Sequence, residues 1–187
     1  MSDREIDFKL RLCTTIATGK TLAMLCGNRI VLKPLSKSDV DLMDQMNQDS
    51  ETMKFLGRVG TPRSRVEEFI QKQQDQFARR GWGWMAIESQ QGDKLGFTLL
   101  QFCSRLSEIE IGYRICRDYW GQGYATESTQ LLLSHALNEL HFNPVIAAID
   151  PLNIASERVL QKIGMQYWKE IDWETTPSGF ARCYKIP

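Results

Sequence analysis

The chain has few of the side chains that hold metals or staple small folds: 2 histidines and 5 cysteines in 187 residues. Cys13, Cys26, Cys103, Cys116 and Cys183 are odd in number and widely spaced, with no Cys-x-x-Cys pair. That pattern signals neither a disulfide framework nor a zinc site. His135 and His141 fall on different faces of a helix, so a two-histidine metal site is not expected. Free cysteine packs as a small hydrophobe, and buried, unreactive thiols are the expectation. An excess of either charge is also missing, since 23 Lys+Arg balance 23 Asp+Glu. The balance excludes a sequence-independent nucleic-acid binder, which needs a basic surplus to neutralise phosphates. No apolar run reaches the ~20 residues that span a bilayer. The first residues, Met-Ser-Asp-Arg-Glu-Ile-Asp, lack a cationic start and an apolar core, so no targeting segment is expected and the cytoplasm is the default location.

What is present is ordinary globular composition, 42% hydrophobic and 25% charged. A chain of this size buries about 70% of its unfolded surface and supports one core without staples. Residues 1–28 show no clear period and read as an N-terminal extension; residues 29–187 read as one domain. Ile30–Leu35 alternates as a strand, and Ser36–Asp39 offers an N-cap for a helix to about Asn47. Thr61-Pro62 opens a second helix whose stripe is Val66, Phe69, Ile70, Gln73 and Phe77, stopped by Gly81. Gly83–Glu88, Leu95–Phe102 and Glu108–Ile115 then follow at hairpin spacing, an antiparallel meander.

The pattern changes at Trp120-Gly121-Gln122-Gly123, which opens a long helix to about Leu140 with Ala125, Leu132, Leu133, Ala136, Leu137 and Leu140 as its buried face. Pro144–Ile149 is a charge-free strand, as expected where both faces are covered. Asn153–Ile163 is a short helix closed by Gly164, and Met165–Trp173 with Phe180–Ile186 form a last hairpin. The fold class is α+β: one mixed, mostly antiparallel sheet, helices on both faces, and a single strand–helix–strand crossover.

A strand running through Gly121-Gln122-Gly123-Tyr124-Ala125 into a helix presents backbone N–H groups and a partial positive charge to an anion. The same two glycines also suit a purely structural tight turn. No Lys or Arg occurs between Arg117 and Arg158. The Walker pattern is therefore excluded, its lysine being absent. The dinucleotide fingerprint fails as well, because Thr126 stands at the third glycine position. A phosphate bound here is expected on backbone amides alone, with Arg117, Arg158 and Lys162 at the margins for an outer phosphate. Asn153 at the next helix start is an N-cap, or a polar contact for an elongated ligand lying between the two helix starts.

In this order and at these spacings, several segments resemble the GNAT superfamily of acyl-CoA-dependent N-acetyltransferases, in particular the branch with ribosomal-protein N-terminal acetyltransferases. They are Glu110-Ile111-Gly112-Tyr113, Trp120-Gly121-Gln122-Gly123-Tyr124-Ala125-Thr126-Glu127 and Asn153-x-x-Ser156-x-x-Val159-Leu160-x-Lys162-Ile163-Gly164-Met165, with Arg29–Pro34 and Leu95-Gly96-Phe97. The likeness covers residues 29–187. The superfamily's glutamine or arginine ahead of the loop glycines is here Trp120, a replacement common in the branch.

The resemblance implies a GNAT-like fold with splayed central strands, the Glu108–Ile115 and Pro144–Ile149 strands parting around acetyl-CoA, and no metal. It implies a pyrophosphate on the amides of Gln122, Gly123, Tyr124, Ala125 and Thr126, shaped by Gly121. It also implies a pantetheine arm along the backbone at Arg114 and Ile115, with the Asn153 side chain on that arm. Glu108 and Glu110 are candidate bases or solvent-facing carboxylates, Glu110 being preferred for its place in the Glu-Ile-Gly-Tyr segment. The superfamily's tyrosine acid is replaced by Leu160, which leaves Ser156 to hydrogen-bond the sulfur. Trp82, Trp84, Phe77, Trp168, Trp173 and Phe180 are core residues or the lining of an acceptor site. The expected function is acetyl transfer from acetyl-CoA to a primary amine, in a monomer or homodimer without nucleic-acid or membrane partners. The alternatives are a non-catalytic CoA-binding module of the same fold and a nucleotide-dependent oxidoreductase.

Overall fold

The computed structural model describes residues 24–57 and 59–186, together with the backbone of three short strands nearer the N-terminus. Most of the expected extension over residues 1–28, Cys13 included, lies outside the described residues. The short strands are β1 (Arg11–Leu12), β2 (Thr15–Ala17) and β3 (Lys20–Leu22), of which β2 and β3 form their own ribbon. β4 (Leu25–Cys26) pairs with β5 (Ile30–Pro34) and buries Leu25 in the core.

After β5, a capping box joins Ser36 and Asp39 ahead of α1 (Val40–Gln48). The short α2 (Ser50–Met53), capped by Asp49, has too few residues to show a period and was not expected. α3 (Arg63–Arg80) follows its predicted bounds. Its Val66, Ile70 and Gln73 are buried, and Gly81 ends it at φ 78° with its N–H on the Phe77 carbonyl. The meander β6 (Trp84–Ser89), β7 (Lys94–Cys103) and β8 (Glu108–Ile115) is antiparallel throughout. α4 (Tyr124–Asn138) then crosses over to β9 (Val145–Ile149), the parallel neighbour of β8. α5 (Ile154–Lys162) leads to β10 (Gln166–Asp172) and β11 (Phe180–Lys185). Among the described residues no helix is long and apolar enough to cross a membrane.

The nine strands run β1-β4-β5-β6-β7-β8-β9-β11-β10 in one sheet. On one face α1 and α3 cover Leu35, Ala86 and Phe97; on the other, α4 packs Leu131, Leu132, Leu133 and Ala136 against Leu32, Ile87 and Ile111. The buried arc of α4 is wider than its leucine stripe, because Glu127, Ser128 and Thr129 are buried as well. Leu137, Leu140 and Ala125, expected inside, are only partly buried. Gly96 brings β7 close under β8: a Cβ there would lie 2.1 Å from the Arg114 carbonyl oxygen.

The parallel pairing of β8 and β9 consists of Ile109 with Val145 and Glu110 with Ile146. Past this point β8 continues along β7 to Ile115, while β9 continues along β11 to Ile149. The two central strands therefore part company, and an open gap lies between Ile111–Ile115 and Ala147–Ile149.

Candidate functional site

The edges of the gap follow from hydrogen-bond alternation. In an antiparallel ladder, a residue points its N–H and C=O to the same neighbour, and the next residue points away. The Cys116 N–H meets the Leu95 carbonyl at 2.8 Å, and Thr98 Oγ1 donates to the Gly112 carbonyl at 2.9 Å. With no register shift along β7 and β8, the backbone groups of Gly112, Arg114 and Cys116 belong to β7. Those of Tyr113 and Ile115 face the gap. The Ile115 carbonyl already accepts the Trp120 indole N–H at 2.7 Å, so the open groups are both of Tyr113 and the Ile115 N–H.

At the mouth of the gap, Gly121 and Gly123 take φ of 73° and 83°, which L side chains rarely adopt. The chain turns there and enters α4, whose first intrahelical bond runs from the Glu127 N–H to the Gly123 carbonyl at 3.0 Å. Gln122 and Gly123 are exposed and Tyr124, Ala125 and Thr126 are half-buried, so the amides of the first turn are presented outward.

The loop is not free of cations, contrary to the expectation from the local sequence. Arg29, 98 residues before Glu127, donates from its backbone N–H and its Nε to the two Glu127 carboxylate oxygens, each at 2.8 Å. Its Nη1 donates to the Gln122 carbonyl at 2.9 Å, and its guanidinium lies 4.6 Å over the Tyr124 ring. Glu127 is only 8% exposed. A carboxylate there would repel a bound anion, and Arg29 neutralises it while bracing the loop. Arg117, Arg158 and Lys162 are exposed.

Glu110 stands where β8 and β9 separate. Gln101 donates to its Oε2 at 2.8 Å, and the Ala148 backbone amide also faces the carboxylate. Burial outweighs these contacts and pushes its pKa up from the ordinary range. Across the strand, Tyr113 points to the α4 and α5 side and donates its phenolic O–H to Ser156 Oγ at 3.0 Å. Burial holds the Tyr113 hydroxyl up to about 12. Ser156 is 9% exposed, in the first turn of α5. Asn153 is the N-cap of that helix, its Oδ1 accepting the Ser156 N–H at 3.1 Å. Its Nδ2 and the second lone pair of Oδ1 remain for a ligand. Asp150, 2% exposed, fixes the preceding turn by accepting the Leu152 and Ser178 amides at 2.7 and 2.9 Å.

Tyr113, Arg29 and Glu127 stand in the segments that carry the resemblance but were given no role of their own from the sequence, and Asp150 was not singled out. Tyr113 had a legible signal, because alternation with Ile109 and Ile111 puts a phenol on a core face where its hydroxyl needs a partner. Several aromatic residues are taken up in packing: Phe69 stacks edge-on with Trp84 at 5.1 Å, and Trp82 with Phe142 at 5.2 Å. Cys103 and Cys183 are buried, and burial pushes both thiols up. Among the described residues no group of three or more His, Cys, Asp and Glu side chains is placed to hold a metal ion.

A glycine turn presenting amides, a gap with free strand edges, a carboxylate on one side and a hydroxyl pair on the other together suit an extended phosphate-bearing thioester. The family model for the acetyltransferase (GNAT) domain matches residues 29–166. The uncharacterized protein YkkB of Bacillus subtilis (strain 168) is 33% identical over 153 residues, covering 79% of this chain and 87% of its own. A GNAT-family acetyltransferase from Bacillus anthracis superposes with a TM-score of 0.76 at 20% identity, over 87% of this chain and 97% of that one. The ribosomal L7/L12 α-N-protein acetyltransferase RimL, solved with coenzyme A, superposes with a TM-score of 0.72 at 17% identity, over 86% and 94%. At such identities the two structures show the fold alone. The family sets aside a nucleotide-dependent oxidoreductase, and with it the chain is placed: it belongs to the GNAT acetyltransferases and is an acetyl-CoA-dependent acetyltransferase.

Proposed function

We propose that the chain transfers the acetyl group of acetyl-CoA to a primary amine, either a protein N-terminus or a small molecule. The observation that carries this reading is the placement of Glu110 on one side of the β8–β9 gap and of the Tyr113–Ser156 hydroxyl pair on the other. The pyrophosphate is assigned to the amides of Gln122, Gly123, Tyr124, Ala125 and Thr126, with Arg29 bracing the loop. Along the gap, the pantetheine arm is assigned to the backbone of Tyr113 and Ile115 in preference to Arg114, whose backbone groups belong to β7. Asn153 meets the arm through Nδ2. When bound, acetyl-CoA supplies an activated acyl group and a thiolate leaving group.

The rest is work for this chain's side chains. An attacking ammonium, ordinarily near pKa ~10, must lose a proton. Glu110 accepts it, directly or through one water, and its raised pKa makes it a stronger base than an exposed carboxylate. At the sulfur, hydrogen bonding prevails over proton transfer. Burial holds the Tyr113 phenol above its ordinary value, so moving its proton to an alkyl thiolate, the weaker base, would be uphill. Ser156 accepts the Tyr113 proton in a hydrogen bond, and its own O–H is thereby polarised toward the departing sulfur.

The test is release of free thiol from acetyl-CoA over a panel of primary amines, with Glu110→Gln and Ser156→Ala beside the wild type. Amine-dependent release that falls in both variants supports the reading. No release with any amine would return the fold to a non-catalytic CoA-binding role.

A further inference from the structure

Among the described residues, Arg114 presents a guanidinium without a counter-charge. Its side chain leaves β8 on the same face as Glu110, toward α1 and α2. Nη1 donates to Asn47 Oδ1 at 2.7 Å and contacts Met53 Sδ at 3.1 Å, and the group lies 5.8 Å over the Phe97 ring. Nε is shut off from solvent with no hydrogen-bond partner, and the guanidinium's hydrogen bonds among the described residues both leave from Nη1. No carboxylate among the described residues forms an ion pair with it. A buried cation is normally paired, because desolvating it alone is costly. Here the Asn47 oxygen and the Phe97 ring offset part of that cost, no carboxylate among the described residues does, and Nη2 is the charged donor left toward a ligand. A charged guanidinium donor of this kind pairs best with an anionic oxygen such as a carboxylate's.

The position of this donor relative to Glu110 matters. Glu110, Gly112 and Arg114 alternate onto one face of β8, so about 13 Å separates the Cα atoms of Glu110 and Arg114 at ~3.3 Å per residue. Gly112, between them, has no side chain and faces Leu99 of β7. The floor between base and guanidinium is therefore the Leu99 side chain, which lies 3.4 Å from where a Gly112 Cβ would stand. We propose that the acceptor is an amine that also carries a carboxylate several bonds away, the carboxylate seated on the Arg114 guanidinium through Nη2 and the amine turned toward Glu110. This rests on the acetyl-transfer reading above and names its substrate class, an ω-amino acid or a peptide N-terminus followed by an acidic side chain.

The experiment compares kcat/KM for γ-aminobutyrate and 6-aminohexanoate with n-butylamine and n-hexylamine, which match them in length, and with spermidine and phosphoethanolamine. For the wild type, the better carboxylate-bearing amine should exceed its matched alkylamine by on the order of 100-fold. Arg114→Met should bring that ratio toward one, and Arg114→Lys, which keeps the charge but not the fork, should retain part of it. Stabilisation by acetyl-CoA, measured for every variant, shows whether the fold and the cofactor site are intact; if Arg114→Met does not fold, the wild-type ratio and the Lys variant decide. Equal or better use of alkylamines or spermidine overturns the carboxylate assignment alone, as does a ratio that survives in the variants. Preference for phosphoethanolamine overturns it in favour of a phosphate. Failure of every amine while acetyl-CoA still stabilises the protein overturns acetyl transfer itself, and this inference with it.

Discussion

Replacing Glu110 with glutamine separates its chemical role from its structural one. Gln keeps the shape and one acceptor oxygen, so it can still receive Gln101 or the Ala148 amide, but it cannot take a proton. A positioned base contributes about 10²–10⁴-fold, or about 2.7–5.5 kcal/mol of barrier. kcat/KM for amine acetylation should fall by that factor. In the wild type, the rate should rise with pH through a limb above the ordinary carboxylate range, and the variant should lack that limb. Stability moves the other way. Burial raises the Glu110 pKa in the folded state, so the folded protein binds this proton more tightly than the unfolded chain does. The resulting contribution is fully present below the unfolded pKa and is lost as pH rises through the folded one. The melting midpoint of Glu110→Gln minus that of the wild type should therefore increase from pH 4 to pH 8. Rates from thiol release and midpoints from calorimetry across that range check both halves. A rate loss under fivefold, or a midpoint difference that shrinks with rising pH, would refute the reasoning.

Tyr113→Phe removes the donor to Ser156 and keeps the ring; kcat should fall about tenfold, the ~1.4 kcal/mol typical of one hydrogen bond, in the same thiol-release assay. Gly96→Ala puts a Cβ 2.1 Å from the Arg114 carbonyl oxygen, which belongs to backbone and cannot swing away. A loss of about 3 kcal/mol or more is expected, a drop of at least ~6 °C in midpoint. Gly123→Ala forces a side chain into φ 83°, with its Cβ 3.3 Å from Arg29 Nη2. About 1–2 kcal/mol should be lost without ligand, with a marked reduction of the acetyl-CoA-induced melting shift.

Legibility tracked the distance over which each signal acts. The helix over Arg63–Arg80, its stop at Gly81 and the β6–β8 meander were readable because period and turn residues are local. The glycine turn was readable for the same reason. The Arg29–Glu127 pair was not, since nothing in the cation-free stretch after Arg117 announces a cation supplied from the start of the domain. The residues lining the gap were half legible. The Glu-Ile-Gly-Tyr segment marked the right strand, but which backbone groups face the opening depends on the register against β7. A slip of one residue exchanges the two sets, which is why Tyr113 takes the place expected of Arg114. Likewise Asn153 was visible as a cap, whereas the bond from Tyr113 to Ser156 joins two elements that meet only in the folded chain.

The central claim is that acetyl-CoA occupies the gap between β8 and β9 with its phosphates on the α4 turn. Its most direct test is the melting midpoint of the wild-type chain in acetyl-CoA, with NAD as control. At ~100 times the dissociation constant, a ligand adds about 2.7 kcal/mol, which for a chain of this length is a rise of about 5–10 °C. The account predicts that rise with acetyl-CoA and none with NAD; an unchanged midpoint in millimolar acetyl-CoA would contradict it.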